Sequence, residues 1–137
     1  ENSTPGPVVI FSHGFKGFKD WGPFDKIARL FSGAGFIFVK FNFAFNGTTA
    51  EEPLDFSDLD AFGNNNFTRE LDDLERVIDW VSAEKRLFTA DLNKISLLGH
   101  SRGGGITILK AAEDKRIASL AISSRLIPPI RESVPVK

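Results

Sequence analysis

Ser101 has a glycine two residues away on either side, in Gly99-His100-Ser101-Arg102-Gly103, and the apolar run Ile95-Ser96-Leu97-Leu98 leads directly into it. A strand that reverses sharply into a helix forces its apex residue into an unfavourable backbone conformation. The residues two positions away must be small, because strand and helix backbones nearly touch there. Gly99 and Gly103 meet that demand, and Gly104 and Gly105 would let the helix lie close to the sheet. Such a turn exposes the Ser101 hydroxyl at the carboxyl edge of the sheet, beside the free N–H groups and positive dipole end of the next helix. A G-x-S-x-G pattern between a strand and a helix is a nucleophile elbow, which serves acyl transfer. The alternative is a serine that merely caps a helix. That role requires neither paired glycines nor a buried strand before it.

An oxyanion formed by attack of Ser101 on a carbonyl needs two donors, usually backbone N–H groups. Arg102, directly after the serine, offers one. The other must come from a neighbouring strand's loop, and Val8-Val9-Ile10-Phe11 ends in Ser12-His13-Gly14-Phe15-Lys16-Gly17 as this requires. The Phe15 N–H is the expected second donor.

The general base is harder to find. The chain has two histidines, His13 and His100, and both precede Ser101. His100 adjoins the serine, so its side chain is expected to point away from the hydroxyl and pack or support the turn. His13 is expected, with Gly14, to order the oxyanion loop; the alternative, His13 as general base, stays open because adjacent loops can approach. Glu113 and Asp114 fall at the far end of the helix after Ser101, and Glu132 lies near the end of the chain, so none is placed as a triad acid. Glu51, Glu52, Asp55, Asp58 and Asp60 crowd one short stretch, which reads as a solvated acidic loop and not a metal site. Neither a metal nor another cofactor is expected.

The elements that must position these groups follow from hydrophobic period. Continuous apolar runs predict strands at Val8–Phe11, Phe36–Phe41, Ile95–Leu98 and Ile117–Ile122. Helical spacing predicts a helix over Pro23–Leu30, carrying Phe24, Ile27, Ala28 and Phe31 and closed by Gly33 and Gly35. A second spans about Thr68–Leu87, with Leu71, Leu74, Val77, Ile78 and Val81 on one face. A third spans Arg102–Glu113, with Ile106, Leu109 and Ala112 inward. Between Asn42 and Asn66 the period disappears, a stretch long enough to hold function or short helices. The order β-α-β-α-β-α-β calls for an α/β fold: a parallel sheet, ordered second-first-third-fourth, with helices on both faces. Sequons at Asn2, Asn46 and Asn66 read as chance.

Composition excludes several classes. The 137 residues carry 17 Lys+Arg against 18 Asp+Glu, for a net charge of −1, so no nucleic-acid or anionic-membrane partner is expected. No apolar run approaches the ~18 residues that span a bilayer. With no cysteine, the chain fits either redox compartment; the location stays open, with the cytoplasm the simpler expectation.

Together "VVIFSHGFKG", "FIFVKFNF" and "ISLLGHSRGGG", in this order, resemble the α/β-hydrolase superfamily, particularly its serine esterases and the dienelactone-hydrolase and prolyl-oligopeptidase-like branches. The resemblance covers about residues 7 to 123. It implies a serine hydrolase of carboxylic esters or related acyl substrates, with Ser101 as nucleophile and Phe15 and Arg102 as oxyanion donors. A peptidase or thioesterase shares the same motifs. A non-catalytic remnant that binds a partner is the reading from another class. Where many relatives carry a G-x-G-x-S turn, Asn46-Gly47-Thr48 stands here. The strands correspond to the third to sixth of that fold's eight, and its acid and histidine follow the seventh and eighth. Residues 1–137 are thus expected to form one partial hydrolase domain, with an irregular tail over 124–137. Its partners would be a small acyl substrate and, through open sheet edges, a second copy or a complementing fragment.

Overall fold

A strand paired on both edges and covered on both faces needs an unbroken apolar run. In the computed structural model, which describes residues 5–84 and 90–123, β1 (Gly6–Ser12) is that strand, and Val8 to Ser12 are all buried. It pairs in parallel with β2 (Ile37–Lys40) on one edge and β3 (Ala90–His100) on the other. β4 (Ile117–Ser123) extends the sheet beyond β3, giving the expected order β2-β1-β3-β4 with every pairing parallel.

Alternate residues of β1 serve opposite faces. Val8 and Ile10, with Ile95 and Leu97 of β3, join Leu74, Ile78 and Val81 of α3 (Phe67–Ala83) and Ile106 of α4 (Arg102–Glu113) in the main core. Phe11 turns to the other face, 4.5 Å from the ring of Phe24 on α1 (Phe24–Gly33) and 6.1 Å from Phe38. Helices therefore cover both faces of the sheet. The aperiodic stretch after β2 contains one short helix, α2 (Leu59–Gly63), whose first turn is capped by the Asp58 side chain. Its two sequon asparagines have structural work: Asn46 is buried and accepts from the Thr48 N–H, and Asn66 caps α3.

Three expectations need correction. β3 is longer than Ile95–Leu98, because Asp91-Leu92-Asn93-Lys94 bulges: the partner of Pro7 is Asp91 and that of Val8 is Ile95. Leu109 is half exposed and Ala112 is exposed, so neither faces inward. A spacing of three residues drifts about 60° per step on a 3.6-residue helix, so Ile106 and Ala112 do not share a face. The buried residues of α4 are Gly103, Gly104, Ile106, Thr107 and Lys110. Finally, α3 ends at Ala83, with Glu84 as its C-cap, short of the expected Leu87; on β4, Leu120 and Ile122 are exposed. The tail over 124–137 lies outside the described residues.

α4 docks by its glycines. A Cβ on Gly103 would collide with the carbonyl oxygens of Ser12 and His13, backbone atoms that cannot yield, whereas one on Gly105 meets nothing nearer than Phe67 Cε1 at 4.0 Å. Gly103→Ala should therefore destabilise the protein by on the order of 3 kcal/mol or more, while Gly105→Ala should be neutral or gain up to ~1 kcal/mol from helix propensity. Urea unfolding of the two variants tests this; equal midpoints would contradict the close approach.

Candidate active site at the carboxyl edge of the sheet

Ser101 joins β3 to α4 with φ 52° and ψ −118°, a left-handed conformation for a residue that has a Cβ. Such a backbone costs of order 1–3 kcal/mol and persists only where its surroundings enforce it. Here they do. The Ser101 N–H donates to the Ser123 carbonyl on β4 at 2.9 Å, and the Gly104 N–H donates back to the Ser101 carbonyl at 2.9 Å. A Cβ on Gly99 would lie 2.5 Å from Gly103 O and from Gly104 Cα, so only glycine lets the strand and helix cross. The Ser101 side chain is left exposed at the carboxyl edge.

The loop after β1 lies against this turn. A Cβ on Gly14 would be 3.1 Å from Ser101 Cβ and 3.1 Å from His100 O. The loop closes on itself, with Gly14 O accepting from the Gly17 N–H at 3.0 Å and Lys16 at φ 53°. Phe15 is 61% exposed, an unusual fraction for phenylalanine, with its ring 5.4 Å from that of Phe62. The Arg102 N–H opens α4 and so has no intrahelical partner. Neither it nor the Phe15 N–H bonds to another described residue.

His13 is buried behind the loop, and both of its ring nitrogens are committed. Nδ1 lies 2.9 Å from Gly14 O, which can only accept, while Nε2 lies 3.2 Å from the Phe43 N–H, which can only donate. The ring is thus the neutral tautomer protonated on Nδ1, and it ties the β1 loop to the chain leaving β2. Its Nε2 lone pair is not directed at Ser101. Burial lowers its pKa from 6.5 to about 4, against the opposing effect of the Gly14 hydrogen bond. His100 packs edge-on against Phe24 at 5.7 Å, as a supporting side chain would.

Sequence reasoning missed a cluster beside Arg102. The Arg102 Nε donates to Glu70 Oε2 at 2.8 Å, and its guanidinium lies 4.1 Å from the centre of the Phe67 ring. The Glu70 side chain is only 5% exposed, and its Oε1 accepts from Asn65 Nδ2 at 2.7 Å. A signal for Glu70 was present. It precedes Leu74, Ile78 and Val81 by four, eight and eleven residues, on the buried stripe of α3.

Among the described residues, no three His, Asp or Glu side chains converge as metal ligands would, and no helix is long and apolar enough to cross a membrane. A surface cleft of about 460 Å³ lies by Pro5 and Ala90–Lys94, around the amino end of β3. Ligands of open parallel sheets bind at the carboxyl edge, where Ser101 makes the candidate site.

No protein-family profile matches the chain, and no curated protein matches it in sequence. Solved structures do. The α/β hydrolase GrgF from Penicillium sp. sh18 superposes with a TM-score of 0.67 at 25% identity, over 87% of this chain and 37% of its own. A dienelactone hydrolase from Anabaena variabilis gives 0.68 at 21% identity, over 88% of this chain and 52% of its own. Est1E from Butyrivibrio proteoclasticus, solved with ferulic acid bound, gives 0.65 at 20% identity, over 87% and 43%. The chain thus has the α/β-hydrolase fold and spans about a third to a half of the length of these neighbours.

The His13 geometry makes a pH prediction. A group whose folded pKa is depressed below its unfolded value stabilises the fold fully above about pH 6.5. That stability is lost as pH falls from 6.5 toward 4. By pH 4.5 the loss should be on the order of 2 to 3 kcal/mol. Ring ¹⁵N chemical shifts should report the Nδ1-protonated tautomer and a midpoint well under 6; a midpoint near 6.5 would show an exposed ring.

Proposed function

We propose that this chain bears the nucleophile and oxyanion donors of an α/β-hydrolase-type serine hydrolase acting on carboxylic esters or related acyl substrates. The supporting observation is Ser101 itself: an exposed hydroxyl on a strained strand-to-helix turn, touching a loop whose free N–H is the expected second donor. In this reading the turn is a nucleophile elbow. The Ser101 oxygen attacks the substrate carbonyl carbon, and the carbonyl electron pair moves to oxygen. The Phe15 and Arg102 N–H groups, which bond to no other described residue, hold that oxyanion without reorganisation. Its collapse expels the alcohol and leaves an acyl-serine, which water hydrolyses. Gly14, Gly99 and Gly103 permit the close approach, and His13 and His100 support it from behind.

The proton of Ser101 needs a base, and neither histidine of this chain is arranged to take it. In this reading the acid and base lie in a longer protein and approach Ser101 at the carboxyl edge of the sheet. A peptidase or thioesterase would use the same atoms, and a non-catalytic partner-binding remnant would use only the β4 edge.

Two outcomes are expected. In the longer protein, a fluorophosphonate probe labels Ser101 and Ser101→Ala abolishes labelling; unchanged labelling refutes the assignment. Residues 1–137 alone should show at most background ester hydrolysis, up to roughly a thousandfold over water, and should associate or aggregate through β4. Robust turnover by this chain, lost in His13→Ala, would instead make His13 the base.

A further inference from the structure

We infer that Glu70 is a positioning residue for the oxyanion site, acting through the side chain of Arg102. The inference rests on the reading of Ser101 as nucleophile. Arg102 serves that reading only through its backbone N–H, for which any side chain would do. Yet its side chain is held at once by the Glu70 carboxylate and the Phe67 ring on α3.

Glu70 is suited to that role. A desolvated carboxylate must be fully hydrogen-bonded or it destabilises the fold. Both of its oxygens are used, Oε2 by Arg102 and Oε1 by Asn65. A buried and doubly committed acceptor has one position, and so fixes the guanidinium. Because that guanidinium belongs to the first residue of α4, its restraint passes to the peptide N–H that would face the oxyanion.

The same segment of chain reaches the other donor. Phe62, three residues before Asn65, packs on the exposed Phe15 ring, and Glu70, Asn65 and Phe62 border a cavity of about 10 Å³ together with Gly14 and Phe15. Residues 62–70 thus brace both donor loops, and Glu70 is the charged element of that brace. A misplacement of a donor by a fraction of an ångström weakens stabilisation of the transition state while leaving ground-state binding nearly intact.

The test uses the longer active protein, a short-chain ester and the fluorophosphonate. Glu70→Gln and Arg102→Gln should each lower kcat and the rate of Ser101 phosphonylation about tenfold, with KM changed less than about twofold. The double variant should be no slower than either single one, since one contact is broken in all three. Should Glu70→Gln fail to fold, Glu70→Leu combined with Arg102→Met removes both charges together, which a fold tolerates better than an unpaired charge. That variant should fold and show the same tenfold loss. Wild-type kcat and labelling in folded Glu70→Gln or Glu70→Leu/Arg102→Met, or losses that multiply in the double variant, would overturn the inference. Labelling that survives Ser101→Ala would instead remove the serine-hydrolase reading on which it rests.

Discussion

The whole site depends on one steric constraint: the first turn of α4 lies directly on the carbonyl groups of Ser12 and His13. Contact between two backbones leaves no room for a Cβ, so Gly103 is dictated by distance and not by flexibility. The same contact sets where Ser101 must be. With α4 pressed onto the end of β1, the residue linking β3 to α4 can only bridge the gap in a left-handed conformation, and it emerges beside Gly14. The strain at Ser101 is therefore a consequence of packing two elements that the core holds together through Val8, Ile10, Leu97 and Ile106. Packing free energy of a buried core, roughly 1.5–3 kcal/mol per large apolar side chain, exceeds the local backbone cost.

His13 shows how the same contact is secured from the other side. It fills the space under the β1 loop as a neutral ring, donating to Gly14 and accepting from Phe43. A protonated ring would direct a second N–H at the Phe43 N–H, donor against donor. Burial thus outweighs the Gly14 hydrogen bond, which alone would favour the charged ring, and the ring's value to the structure lies in staying uncharged. Both ring nitrogens are committed to that support, one to Gly14 and one to Phe43.

Much of this arrangement was legible in the sequence. The apolar runs at Val8–Phe11 and Ile95–Leu98 must be central strands because nothing polar interrupts them, and glycine at both sides of Ser101 has no purpose in an ordinary helix cap. Sheet order follows from those elements and from the known handedness of parallel crossovers. The rest depended on contacts that span the chain. The bulge at Asp91–Lys94 is a matter of register with Pro7 and Val8, which local polarity conceals. The inward face of α4 was only partly legible because glycines mark its closest contact: Ile106 is buried, whereas Leu109 and Ala112 are exposed. Glu70 sat on an apolar stripe, a visible anomaly, but its partner Arg102 is 32 residues away.

The exposed groups complete the argument about how the work of such a site is divided. Everything needed to hold Ser101 in its strained conformation is local: β3, α4, the β1 loop and one carbonyl of β4. The contacts around the Arg102 and Phe15 N–H groups are local too: the His13 ring ties the β1 loop to Phe43, Phe62 packs on Phe15 and Glu70 pairs with Arg102. Preorganised donors act by their fixed placement and need no proton inventory, so they can be built entirely within one compact set of elements. A general base has the opposite requirement: it must exchange protons with solvent and substrate near neutral pH. The buried His13, held uncharged by its surroundings, cannot meet it. In the proposed reading a base is supplied from a separate element approaching the carboxyl edge, where Ser101 is exposed.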